Sequence, residues 1–442
     1  MVNAEITPST THDIGVAMHA LITELFPICR SITGDGVRET LQRIGQHIPL
    51  EMHEVPSGTT VFDWTVPNEW NLKDAYIKTL GGERVIDVRQ STLHVLNYST
   101  PINRIVGLQE LREHLFTLPE QPDLIPYRTS YYHERWGFCL SHKQYLELND
   151  PSYEVCIDAT LEPGQLSYGE CYLPGLSSDE VLISCHVCHP ALCNDNLSGI
   201  ALAVFLAKLL ASRSRHYSYR FLFIPGTIGA ITWLALNETQ LERIKHGLVV
   251  ACVGDSGHMT YKRSRRGDAI IDRAVEHVLK HSGDEYEIVD FSPYGYDERQ
   301  YCSPGFNLPV GCLSRTPHSR FPEYHTSADN LEFVQPAFLS DSLAKYLAVV
   351  DVLEHNHSYV NLNPKCEPQL GKRGLYRALG GQASDVQQSA LLWVLNLSDG
   401  TADLLQIAER AGLLFAEIKR ATQLLLEHGL LREYPAETTR AP

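Results

Sequence analysis

The 442-residue chain predicts an α/β fold: a doubly wound, mostly parallel sheet, interrupted by an inserted, mostly β domain and followed by a winged-helix-like domain. Three observations carry this. From about Glu154 to Tyr359, apolar strands alternate with Ala- and Leu-rich helices, the rhythm of a parallel sheet covered on both faces. From about Val55 to Leu148, short β-prone runs are cut by Pro and Gly. After about Lys365, two helical stretches with a short break between them lead into a short β-like end. The resulting bounds are 1–54 and 150–362 for the core, 55–149 for the insertion and 365–437 for the tail.

Each element has its own signal. Residues 11–50 read as two helices around Arg30–Gly36, where Gly34 and Gly36 permit a tight turn before Arg38-Glu39-Thr40-Leu41 restarts the pattern. In the insertion, the β-prone runs are Val61–Trp64, Arg84–Val88 and Thr92–Leu96, and aromatics crowd its end at Tyr127–Tyr132 and Trp136–Phe138. In the core, Val181–Cys185 is a buried strand, Ser198–Leu210 a helix and Arg220–Ile224 a strand. Ile228–Leu236 is the next helix and Leu248–Val253 a third strand. The tail places helices at Thr401–Ala411 and Phe415–His428 before Gly429–Glu433.

Composition narrows the function. With 53 acidic and 37 basic residues the net charge is −16, which argues against a general nucleic-acid or membrane-surface role. Within 371–442 eight basic residues balance eight acidic ones, so the tail is expected to serve packing or oligomerisation rather than DNA. No secretory signal is read at the amino end, and no apolar run is judged long enough to span a bilayer. Eleven cysteines without regular spacing fit reduced thiols and a cytoplasmic protein.

The chemistry concentrates at Val181–Gly199. A strand runs into His186, and Asp195 follows nine residues on, at the mouth of a helix. A neutral imidazole and a carboxylate suit zinc. Asp255 follows the third strand, and His325 lies in Pro322–Asn330, after the strand-like Leu308–Leu313. In open parallel sheets ligands bind beyond the carboxyl ends of the strands, where these four side chains are expected to meet. Cys185-His186-Val187-Cys188-His189 also fits a haem-attachment pattern, and Cys185, Cys188, Cys193 and His189 a structural zinc. The missing export signal argues against the first, and the lack of a second ligand pair with finger-like spacing against the other.

His186, Asp195 within an Asp-x-x-Ser-Gly turn, Asp255 and His325, in this order, resemble the zinc-dependent aminopeptidases related to bacterial leucyl aminopeptidase. A closer similarity is to an aminopeptidase-like subgroup sharing RSITGDGVRETL (30–41), DWTVPNEW (63–70), PYRTSYY (126–132), CHVCHP (185–190), NDNLSG (194–199), PGTIGAI (225–231), DERQY (297–301) and PEYHTSADN (322–330). That resemblance implies an inserted β domain, a winged-helix tail and one zinc ion or two. It also implies metal ligation by His186, Asp195, Asp255 and His325, with Asp195 bridging where two metals are held.

The sequence departs from the family at two points. The Glu-Glu pair that the working peptidases carry after the second core strand is absent from Phe223–Gly229, and Cys188 stands where a supporting aspartate is usual. Glu298 and Glu323 are the expected substitutes as general base. Arg30, Arg38, Tyr131, Trp136, Arg299 and Tyr324 are the candidates to contact substrate. The reading is a zinc-dependent hydrolase of an amide or peptide bond beside a free amine, acting on a small peptide or an aminoacylated small molecule. The alternative is a lapsed, aminopeptidase-like binding protein whose tail mediates association; a homo-oligomer stays open.

Overall fold

The computed structural model describes residues 8–375 and 382–434, and its chain divides into two compact units. The first comprises Met1–Asp272 and Glu285–Tyr346, the second Arg273–Asp284 and Leu347–Pro442.

The first unit is built on an eight-stranded mixed sheet. In chain order its strands are β1 (Glu51–Pro56), β2 (Gln165–Leu173), β3 (Glu180–His186), β4 (Ser218–Ile224), β5 (Ile244–Val250), β6 (Met259–Lys262), β7 (Tyr286–Val289) and β8 (Val310–Ser314). In space the order is β1-β2-β4-β3-β5-β8-β6-β7, with β4, β3, β5 and β8 parallel at the centre. All of β3 is buried, as a strand must be when both faces of its sheet are covered. The helix Ser198–Ala211 packs on β3, and the helix Pro8–Leu25 packs on that helix in turn. The stretch Cys193–Ala211 is long and apolar enough to cross a membrane, contrary to the sequence expectation, but 83% of its window is core. Its apolar residues are spent on the sheet.

A four-stranded antiparallel sheet in the same unit joins Arg84–Asp87, Glu69–Thr79, Ser152–Glu162 and Ile102–Gly107 in that order. Its two longest strands, Glu69–Thr79 and Ser152–Glu162, were not legible as strands in the sequence. The run Thr92–Leu96, expected as a strand, holds one 3-10 turn at Thr92–His94. The reason is local: Ser91 Oγ accepts from Leu93 N and bends the chain before a pairing partner is reached.

The second unit has helices at Gln382–Leu397, Leu404–Ala411 and Phe415–Glu427, with a sheet ordered Asp399–Asp403, Ser358–Asn361, Leu431–Glu433. The helix expected from Thr401 starts at Leu404, because Asp403 caps it and Gln406 returns a bond to the Asp403 backbone. Gly412, at φ 65°, ends that helix in the left-handed conformation.

Candidate metal centre

The parallel topology delivers His186 to the carboxyl end of β3, beside the end of β4. The loop beyond it brings back Asp195, which is fully buried. Asp195 has non-helical dihedrals, φ −112° and ψ 79°, at the kink before the helix from Ser198. That kink is braced. Asp329 accepts from the backbone of Asn194 at 2.6 Å and of Asp195 at 3.0 Å. Asn196 Nδ2 donates to the carbonyl of Val250 at the end of β5. Ser198 Oγ donates to the Asn194 carbonyl and accepts from Val253 N. Gly199 is required by close packing: a Cβ there would sit 2.3 Å from Asn196 Oδ1 and 2.6 Å from the Val250 carbonyl.

So held, the Asp195 carboxylate meets three imidazoles. His186 Nε2 lies 2.8 Å from Oδ1, while His325 Nε2 and His189 Nε2 lie 3.0 Å and 3.9 Å from Oδ2. Ligand atoms of His186, His189 and Asp195 all lie within 4.8 Å of one another. His186 is nearly sealed, whereas the His325 side chain is 33% exposed, so the cluster opens on that side. His325 itself sits at φ 56°, an uncommon conformation for a residue with a Cβ. Tyr127 N donates to its carbonyl, and the Tyr324 ring stacks on it at 3.9 Å.

Electrostatics suit ligation. Burial opposes ionisation of Asp195, but the surrounding imidazoles and the hydrogen bonds from His186 and His325 outweigh it and hold the carboxyl well below its usual range. Burial drives His189 well down, towards the neutral form that binds metal. Burial also pulls His186 down, yet the Asp195 charge and bond reverse it, and its net direction is up.

The structure redistributes the expected roles. Asp255 does not join the imidazoles: Oδ1 accepts from Gly257 N and Thr316 Oγ1, and Oδ2 from Asn194 Nδ2 and Thr316 N. Both oxygens are engaged and brace the Asn194 turn, and the third imidazole near Asp195 is that of His189. The sequence pattern groups His189 with Cys185, Cys188 and Cys193, whereas the structure sets its ring beside Asp195, His186 and His325.

Arg30 is fully buried and donates to the carbonyls of His189 and Leu25, so it supports the His189 loop rather than reaching substrate. Arg38 is consumed by a forked pair with Glu69 and by Glu54 and Asp35. Trp136 stacks on His114 at 3.6 Å, away from the cluster. Tyr131 stands one step behind it, its hydroxyl 2.9 Å from that of Tyr127, whose ring touches His189 and His325. Only Tyr324 among the expected substrate residues packs on the cluster itself. Arg299 has a buried Nε without a partner. Glu323 lies two residues before His325, and only its backbone is engaged there, by Thr326.

Of the expected bases, Glu298 is buried and its Oε1 accepts from Lys262 Nζ at 2.8 Å. Its neighbour Asp297 is the residue missed. Both Asp297 oxygens are buried without a hydrogen-bond partner. Gly226 shows why it fits. A Cβ there would meet His186 Cβ at 3.1 Å and both Asp297 oxygens at 3.4 Å. The space where the sequence lacks a carboxylate after β4 thus receives one from another loop. Burial lifts Asp297 to about 7, against the pull of His186.

Two family models cover the chain. One, described as a domain of unknown function (DUF4910), matches residues 19–356, and a winged helix-turn-helix model matches 357–433. A Clostridium acetobutylicum protein, named as a candidate polysaccharide biosynthesis protein with an aminopeptidase-like domain, is 54% identical over 421 residues, covering 95% of this chain and 97% of that one. A crystal structure of a candidate peptidase from Clostridium acetobutylicum matches with TM-score 0.92 and 52% identity over 96% of this chain and 98% of that one. The zinc aminopeptidase BSAP of Bacillus subtilis matches at TM-score 0.55 and 11% identity over 77% of this chain and 94% of that one, a likeness of fold alone. Mixed α/β core, aminopeptidase-like neighbours and winged-helix tail agree, and the chain belongs to the DUF4910 family.

Proposed function

We propose that the chain is a metal-dependent hydrolase of aminopeptidase type, cleaving an amide or peptide bond beside a free amine. One observation supports this above the others: three imidazoles surround a buried carboxylate, and a second carboxylate lies against one of them without any partner. Nitrogen and oxygen donors in that number fit zinc, and the neutral state favoured at His189 fits its coordination. His186, His189, Asp195 and His325 would hold the ion. When bound, zinc supplies a Lewis acid that polarises a carbonyl and acidifies water.

The chain's own residues supply the rest. Asp297, poised near neutrality, accepts a proton from water and returns it to the leaving amine. Tyr324, stacked on His325, forms a wall of the open side. The relative's link to polysaccharide biosynthesis supports including amino sugars acylated by amino acids among the substrates.

The test is elemental analysis of the purified protein, paired with amine release from a panel of aminoacyl amides and aminoacyl sugars, for wild type and Asp195→Ala. Bound zinc and turnover, both lost in the variant, support the reading. Absence of zinc after it is supplied refutes it. Zinc without turnover on any member refutes the hydrolase and favours a binding protein, the reading that the carboxylate-free Gly226 region would then explain.

A further inference from the structure

Apart from the cluster around Asp195, the first unit carries a second concentration of charge. Arg112 ends the short helix Leu108–Arg112, Arg128 follows Tyr127, and Arg135 immediately precedes Trp136. All three line one cavity of about 560 Å³, together with His142 and Tyr145, and no Asp or Glu lines it.

In a chain of net charge −16 this is an unusual arrangement. Arginines of the same unit commonly take carboxylates, as Arg38 does with Glu69, Arg84 with Asp74 and Arg220 with Glu180. Among the described residues, neither Arg112, Arg128 nor Arg135 has a carboxylate within ion-pairing distance. Two of them are instead held by neutral rings: Arg135 lies 5.4 Å from the Phe116 ring centre and Arg112 5.5 Å from that of Tyr145. A ring fixes a guanidinium plane without neutralising it. Tyr145 is itself stacked on His142, whose Nδ1 is 3.0 Å from Thr117 Oγ1, leaving Nε2 for a ligand. All three arginines are exposed to solvent, so an anion entering the cavity can reach each of them.

We propose that this cavity binds the diphosphate group of a phosphorylated ligand. A lone carboxylate offers two oxygens, too few for three guanidiniums, whereas a diphosphate offers acceptors to all three and carries the matching charge. The volume also leaves room for an organic substituent. None of His186, His189, Asp195 and His325 lines this cavity, and the proposal does not depend on the activity proposed there.

Isothermal titration of chelator-treated full-length protein at fixed low salt tests this, with pyrophosphate, a nucleoside diphosphate and sulfate as probes. Saturable binding of the diphosphates, weakened at least about tenfold by each of Arg112→Gln, Arg128→Gln and Arg135→Gln, is the expected result. Arg43→Gln, which alters an exposed arginine paired with Glu24, and Asp195→Ala should leave binding in place. Tighter binding of the nucleoside diphosphate than of pyrophosphate identifies an ester as the ligand; equal binding identifies the inorganic ion. Failure of both diphosphates to bind at about 1 mM overturns the proposal. So does sulfate binding as tightly as they do, or insensitivity to the arginine variants in proteins whose melting temperatures match wild type.

Discussion

Replacing Asp297 by Asn should make the protein more stable and less active, and the first effect should depend on pH. Burial lifts the Asp297 carboxyl from its ordinary 3.8 to about 7 in the metal-free protein. Between those values the folded chain keeps a proton that the unfolded chain has lost, so stability falls as pH rises through the window and the penalty is complete above it. At about 1.4 kcal/mol per pH unit, the ionised side chain destabilises the fold by about 4 kcal/mol. The amide removes that charge but leaves polar atoms of its own unpaired, offsetting about 1–3 kcal/mol. The net expectation is a gain of about 2 kcal/mol above pH 8 that turns into a loss of about 2 kcal/mol near pH 4. Urea unfolding of chelator-treated wild type and variant, followed by tryptophan fluorescence at both pH values, measures it. Turnover of the zinc-loaded variant should fall about 10²–10⁴-fold. A variant less stable than wild type at high pH, or a difference independent of pH, refutes the claim that this carboxylate is buried without compensation.

Arg220→Ala strands the buried Glu180 carboxylate and should lower stability by about 3–5 kcal/mol, while Arg220→Leu with Glu180→Leu should recover most of it, both read by urea unfolding. Gly199→Ala drives a Cβ into Asn196 and the Val250 carbonyl, and should lower the melting temperature and weaken zinc retention measured by competition with a chromophoric chelator. In the second unit, His277 accepts from Phe415 N, and burial pulls its pKa to about 4. A protonated ring cannot accept, so this unit should lose stability as pH falls from about 6.5 towards 4 and be unaffected above; His277→Gln should flatten that dependence in pH-resolved calorimetry.

Part of the site was legible because its residues are tied to elements with strong sequence signals. His186 ends an unbroken apolar strand and Asp195 precedes an Ala- and Leu-rich helix, so both could be placed at the sheet's carboxyl edge. Asp255 had the right topological address, but its hydrogen-bond partners Thr316, Gly257 and Asn194 were not legible. No pattern local to Asp255 contains Thr316, which arrives from another connection. The same holds for Arg30 and Arg38: their partners lie far along the chain, at His189 and Glu69.

What the sequence determined by itself is whatever follows from short-range periodicity and composition. The central parallel strands, the covering helices, the helix-turn-helix tail and the histidine and aspartate at a strand-to-helix junction all belong there. Tertiary structure alone decided which side chains share a point in space. It set His189 beside Asp195, turned Asp255 into a brace, and carried Asp297 into the room left by Gly226. The physical reason is that hydrogen-bond satisfaction and desolvation are settled between residues from a few to more than a hundred positions apart, over distances of a few ångströms that no local pattern encodes.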